Sequence, residues 1–100
     1  MRFECDVIAV MDASVTTPYA VFLDETTAEK IRAVAPGGFT GNIAISASIG
    51  DQVWDASLYP HRASNSFRLP LRRKVAKRAG IKHGTPIHLV IELRTPEAGS

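Results

Sequence analysis

Apolar and polar residues alternate along much of the chain, and this is the period of half-buried β-strands. In residues 2–11 the apolar side chains fall on every second position from Phe3 to Met11. Residues 41–49 alternate as regularly, and the Gly50-Asp51 pair that follows is typical of a tight hairpin turn. Alternation, or an aromatic and β-branched composition, predicts the other strands. The six predicted strands cover residues 2–11, 19–24, 41–49, 52–60, 67–70 and 87–93.

Two short segments have helical periodicity instead. Residues 26–35 place apolar side chains on one helical face, and Thr26 and Glu29 have the spacing of a capping box. Residues 71–79 form a second amphipathic segment, with a proline before it and Gly80 in the position of a C-terminal cap. Helices this short need a core beneath them to persist.

The predicted elements follow the same order twice. A strand, a short helix, a glycine-containing turn and a strand occupy residues 19–49, and the same series recurs in residues 66–93. Neither series covers its own apolar strand face, so we expect the two to pack about a pseudo-twofold axis. The predicted fold is therefore a small, mainly β barrel of about six strands with two short capping helices. We expect one domain over residues 1–95 and a flexible tail at 96–100.

Several short motifs follow one another in a recognisable order, at Gly50, Trp54, Ser57, Leu58, Pro60, Leu69, Lys77, Gly80, Ile81 and Gly84. In this order the chain resembles the family called domain of unknown function 1905. The likeness runs from Phe3 to about Leu93, while Ala76 and Thr85 depart from the usual pattern. It implies a double-split β-barrel, similar to the swapped-hairpin barrels of AbrB-type transcription factors and MazE-type antitoxins, here with both halves in one chain. The family carries no agreed biochemical activity.

Composition narrows the class of protein. No apolar run approaches the roughly 20 residues of a membrane-spanning helix, so no membrane association is expected. Glu4, Asp6 and Asp12 lie where a signal peptide would be apolar, which favours a cytoplasmic protein. The single cysteine, Cys5, belongs to an alternating apolar row, so we expect a buried thiol rather than a nucleophile.

Charge is distributed unevenly along the chain. Residues 1–55 carry a net charge of −5, and residues 56–100 carry +7. Much of the excess lies on and beside the segment 71–79, which makes it a candidate surface for binding a polyanion. The competing interpretation is the solvated face of an amphipathic helix, since the segment lacks interleaved aromatic residues. The candidate residues are Arg72, Arg73, Lys74, Lys77, Arg78 and Lys82.

A second candidate site is a ligand pocket around Trp54, Tyr59, His61 and Arg62. A tryptophan on a strand is more often a core residue with one polar contact, so this hypothesis competes with a packing role. No catalytic motif, phosphate loop or metal-ligand spacing is present, so neither an enzyme nor a cofactor or metal is expected.

Three functional hypotheses follow. The first is a non-catalytic binding or interaction module of unknown partner, either monomeric or homodimeric. The second is a nucleic-acid-binding regulator of AbrB-like type that uses the basic helix 71–79. The third is a small-molecule site near Trp54.

Overall fold

The computed structural model describes residues 2–12, 16–34 and 42–94, which form a mainly β fold as the alternation predicted. The described residues contain seven strands, two α-helices and a short 3-10 turn, Arg62–Ser64. The strands are β1 (Arg2–Ile8), β2 (Val10–Met11), β3 (Tyr19–Phe22), β4 (Ile43–Ile49), β5 (Gln52–His61), β6 (Ser66–Leu71) and β7 (Pro86–Leu93). The helices are α1 (Glu25–Val34) and α2 (Arg73–Ala79).

The strands form one antiparallel sheet in the order β1-β7-β4-β5-β6-β3-β2. Its two end strands, β1 and β2, are successive parts of one segment and are separated only by Ala9. The Ala9 amide donates to the Thr85 carbonyl at 2.9 Å, and its carbonyl accepts from the Gly84 amide at 2.8 Å. Residues 2–11 therefore connect both ends of the sheet, which curls into a barrel-like shape. The predicted first strand bends at Ala9, and this bend raises the strand number from six to seven.

The β5 strand forms a second corner of the sheet. Its residues up to Leu58 pair with β4, and its residues from Tyr59 onward pair with β6. The β4–β5 connection is the predicted hairpin turn, in which Gly50 has φ of +57°. That left-handed conformation strains residues with a β-carbon, which is the reason for glycine there.

The strand order has the symmetry that the internal repeat predicted. The strand β4 pairs with its counterpart β7, and β3 pairs with its counterpart β6. The bent segment β1–β2 and the bent strand β5 take equivalent places at the corners. The two halves of the chain thus close on each other within one molecule. The relationship to AbrB-type barrels stays a prediction.

Alternating side chains from the strands fill the core. In β4, Ile43, Ile45 and Ala47 are buried, as their spacing predicted. The helices add short apolar contacts, from Ala28 and Ile31 in α1 and from Val75 and Ala76 in α2. The largest fully buried side chains are Phe67, Ile31, Ile45, Leu58, Leu69, Leu71, Leu89, Ile91 and Val21.

Two predicted helix starts were wrong. The second helix begins at Arg73, because Pro70 and Leu71 belong to β6 and pair with β3. A proline is tolerated there because the pairing of β6 with β5 ends at Arg68, so the N–H that proline lacks is not required by a strand on that side.

The predicted tail at 96–100 lies outside the described residues.

The first helix begins at Glu25, two residues earlier than a capping box with Thr26 as its N-cap predicted. Asp24 caps it: its Oδ2 accepts from the Thr27 amide at 2.9 Å, and its Oδ1 accepts from the Thr27 hydroxyl at 2.6 Å. Thr26 and Glu29 are exposed.

The helices α1 and α2 are both too short and too polar to traverse a bilayer, and the described residues contain no longer apolar helix.

Candidate functional site

The helix α2 is held so that its basic side chains face outward. Val75 and Ala76 are buried beneath it, and the Gln52 side-chain amide on β5 donates to the Val75 carbonyl at 3.2 Å. At its start, the Arg73 amide donates to the Thr16 carbonyl at 3.2 Å. These contacts fix one face of the helix against the sheet and leave the opposite face in solvent.

The end of α2 is equally well defined. Gly80 adopts φ of +65°, and its amide bonds to the Lys77 carbonyl at 3.4 Å. The Ile81 amide bonds to the Ala76 carbonyl at 2.8 Å, and the Ile81 side chain is buried. This is a Schellman motif, as the predicted glycine cap implied. It stops the helix after two turns and holds the basic residues in a fixed place.

The six candidate cations from the sequence are all exposed in the structure. Among the described residues, no carboxylate lies within ion-pair distance of Arg72, Lys74, Lys77, Arg78 or Lys82. Elsewhere in the described residues, three arginines do have acidic partners, in the pairs Arg2–Glu4, Arg68–Asp12 and Arg94–Asp55. These five side chains therefore give the surface around α2 positive charge that no carboxylate in the described residues pairs with. We call this surface the basic face, formed by Arg72, Arg73, Lys74, Lys77, Arg78 and Lys82.

Two open depressions border the basic face. One, of about 580 Å³, is lined by Gln52, Lys74, Lys77 and Arg78. The other, of about 490 Å³, is lined by Arg72, Arg73 and Lys74 together with Thr16 and Thr17. Lys74 lines both depressions, so they adjoin each other. Lys82 lies beyond them, in the turn between α2 and β7.

A third depression shares two lining residues, Thr17 and Arg72, with the second. It has a volume of about 370 Å³, and its lining includes Trp54, Tyr59, Arg72 and Arg94. Trp54 is half-buried and packs against the core, so it takes the packing role that the sequence favoured and also lines the depression. Tyr59 is 40% exposed. We call this depression the aromatic pocket, formed by Thr17, Ala44, Trp54, Asp55, Ala56, Ser57, Tyr59, Pro70, Arg72 and Arg94.

The structure divides the four residues that the sequence assigned to one ligand pocket. His61 and Arg62 line a separate depression of about 180 Å³ near Phe67. The His61 ring lies 4.7 Å from the Phe22 ring, and its Nδ1 is 2.8 Å from the Ser64 hydroxyl. They separate from Trp54 because β5 bends after Leu58 and its last residues pair with β6 instead of β4.

Arg94 is a site residue that the sequence interpretation missed. It follows the last residue of β7, and its amide donates to the Ala44 carbonyl at 3.0 Å. Its guanidinium lies 3.5 Å from the Asp55 carboxylate, and both side chains are largely exposed. Because Leu93 pairs with Ile45, β7 carries Arg94 to the β4–β5 side of the molecule. Only the strand pairing reveals this placement.

Among the described residues, no group of three or more His, Cys, Asp and Glu side chains is arranged to hold a metal ion.

Comparison with known proteins places the chain in a family without assigning an activity. No curated protein and no solved structure matches it significantly. The model of one family, Domain of unknown function (DUF1905), matches residues 3–91. The matched residues include both helices and nearly all of the seven strands. The chain therefore belongs to the DUF1905 family.

Proposed function

We propose that this domain is a non-catalytic binding module whose partner is a nucleic acid, contacted through its phosphates by the basic face. The observation that carries the proposal is the set of five exposed cations without an acidic partner in the described residues. A chain of phosphates supplies negative charge at regular intervals, which suits several cations on one short helix.

The arrangement favours binding over a merely solvated helix face. Lys74, Lys77 and Arg78 lie three and four residues apart, where like charges repel and destabilise the helix by a few tenths of a kcal/mol. A helix selected for solubility alone would gain from acids interleaved among the bases, yet α2 contains none. Phosphates would relieve the repulsion and release their condensed counterions.

The proposal predicts binding that weakens steeply with salt. Each phosphate neutralised contributes about 0.9 to the slope of log K against log salt concentration. If four cations contact phosphates, affinity for a duplex of mixed sequence should fall about 10²-fold between about 50 and 200 mM salt. Fluorescence anisotropy of the labelled duplex measures this dependence. Replacing Lys74 and Lys77 together by glutamine should reduce the slope by about 2.

The matched control removes the same charge from elsewhere. Arg2 and Lys30 are exposed bases on β1 and α1, so the double variant Arg2→Gln, Lys30→Gln should leave the slope unchanged. Equal losses in both double variants would mean that net charge alone drives binding. No salt-dependent binding by the unmodified domain would exclude the proposed function.

A further inference from the structure

The aromatic pocket adjoins the basic face through a shared residue. Arg72 lines both the aromatic pocket and the 490 Å³ depression, and Lys74 links that depression to the one beside Lys77. A ligand that follows these three adjoining depressions meets cations first and then two aromatic side chains, Trp54 and Tyr59. The arrangement places the cations next to a pocket lined by a partly exposed tyrosine and a half-buried tryptophan.

We infer that the preferred ligand of this surface is a single-stranded nucleic acid, with its phosphates on the basic face and one unpaired base in the aromatic pocket. The inference rests on the proposed function and specifies its substrate class. Proteins that bind single strands combine a basic groove with aromatic side chains on which bases stack. The basic segment itself has no aromatic residue, but the fold brings Trp54 and Tyr59 of β5 to its end.

The charges in the aromatic pocket suit a nucleotide whose phosphate lies at the pocket entrance and whose base lies inside. Arg94 is paired with Asp55, whereas Arg72 has no acidic partner in the described part of the chain. Arg72 is therefore the cation available to a phosphate at the pocket entrance. The pocket volume of about 370 Å³ falls in the range of small-ligand sites. A duplex keeps its bases stacked inside, so it offers the rings nothing to stack on.

Trp54 makes the inference directly measurable, because it is the only tryptophan in the chain. The probes are an oligothymidylate, an abasic oligomer of the same length, a duplex, and thymidine monophosphate, all at low salt. We expect the oligothymidylate to quench Trp54 fluorescence and to bind about tenfold more tightly than the abasic oligomer. The abasic oligomer and the duplex should bind through the basic face without quenching.

Variants of Tyr59 separate stacking from charge, because this side chain is partly exposed and outside the fully buried core. Tyr59→Leu should lose about tenfold in affinity for oligothymidylate and nothing for the abasic oligomer. Tyr59→Phe keeps the ring and should restore single-strand binding. Thermal unfolding of each variant identifies any loss that comes from misfolding.

The outcomes distinguish this inference from the function on which it rests. Salt-dependent binding of the duplex and abasic oligomer, with no advantage for oligothymidylate and no quenching, overturns the inference and leaves the proposed function standing. Quenching by the monophosphate equal to that by the oligomer at the same base concentration identifies a free nucleotide as the ligand and also overturns it. No binding of any probe overturns both.

Discussion

His88 illustrates how one exposed residue is controlled by its neighbours across two strands. Its Nδ1 is 2.9 Å from Asp6 Oδ1, and its Nε2 is 2.9 Å from Glu4 Oε1. The β1–β7 register pairs Asp6 with His88 and brings both carboxylates to the ring. Hydrogen bonding to Asp6, and next to Glu4, raises the pKa of His88 above its ordinary value. His88 is exposed, while its neighbours Ile87 and Leu89 on the same strand are buried.

The raised pKa of His88 determines the direction in which its contribution to the stability of the fold changes with pH. A group with a raised pKa in the folded state stabilises the fold fully below its unfolded pKa, and this contribution is lost as pH rises through the folded pKa. Asp6→Asn removes the main cause, so the pKa of His88 should fall towards its ordinary value. An NMR titration of the imidazole measures this change. Asp55→Asn removes an exposed carboxylate that does not contact His88, so an equal fall in that variant would contradict the explanation.

Cys5 is the other residue whose surroundings set its chemistry. It is buried in β1, and burial is the main reason that its pKa is raised to about 11. At neutral pH the thiol is therefore protonated and shielded from reagents. The expected structural role of the cysteine is confirmed by this burial.

At the scale of elements, α1 shows which local signal determines where a helix begins. The sequence predicted a capping box of Thr26 and Glu29, whereas the structure caps the helix with Asp24, which is hydrogen-bonded to Thr27. The hydrogen bond from the Thr27 side chain is the main cause that lowers the pKa of Asp24. Leu23 just before the cap is buried, and its amide bonds to the Phe67 carbonyl at 3.0 Å. These contacts of Leu23 with the core and with β6 thus hold the chain in a position where Asp24 caps the helix.

Asp24→Ala should lower the free energy of unfolding by about 1 kcal/mol at neutral pH, because it leaves the Thr27 amide in the first turn without its side-chain acceptor. Since the folded pKa of Asp24 is depressed, this stabilisation is present above the unfolded pKa and is lost as pH falls through the folded pKa. Urea denaturation measures both effects. Glu29→Ala is the matched control and should change little. A larger loss in the control would restore the capping-box interpretation.

At the scale of the whole molecule, the two halves of the chain are interleaved. The pairings β1–β7, β4–β7, β4–β5 and β3–β6 all join residues before Gly50 to residues after it. Within a half, the described ladders are only the short ones of β2–β3 and β5–β6. Each half therefore depends on the other for most of the backbone hydrogen bonds between its strands.

A chain divided between Gly50 and Asp51 tests this interdependence. The fragments 1–50 and 51–100 should each lack stable structure, because neither can satisfy its own strands. Mixing them should restore the fold, which dispersion of the amide NMR signals detects. A second fragment carrying Leu89→Asp, which places a charge in the core, should fail to assemble. A fragment that folds alone would contradict the interleaved topology.

Because the two halves are interleaved, acids and bases that are separated along the sequence come closer together in space. Along the sequence, acids predominate before residue 56 and bases after it. In space, Asp12 pairs with Arg68, and Glu4 and Asp6 surround His88, so the two charge classes partly mix. The excess of positive charge persists around α2, because its own segment contains no acid.

Local periodicity was sufficient to determine most of the elements. Alternation located the strands and most inward side chains, and Gly50 and Gly80 marked two turns, since these features depend only on nearby residues. Met11 is the exception: it belongs to the predicted inward row but lies after the bend at Ala9 and is 69% exposed. The repeated order indicated that two similar halves pack together, but the pairing of β4 with β7 is visible only in the structure. The basic face followed from consecutive residues on one short helix.

Only the tertiary structure decided features that depend on distant residues. The bends at Ala9 and after Leu58 arise because one strand must pair with different neighbours along its length. The bend in β5 separates His61 from Trp54, and the β4–β7 pairing carries Arg94 to the aromatic pocket. Residues far apart in sequence meet only when the sheet has closed, so no local pattern could place aromatic rings beside the basic face.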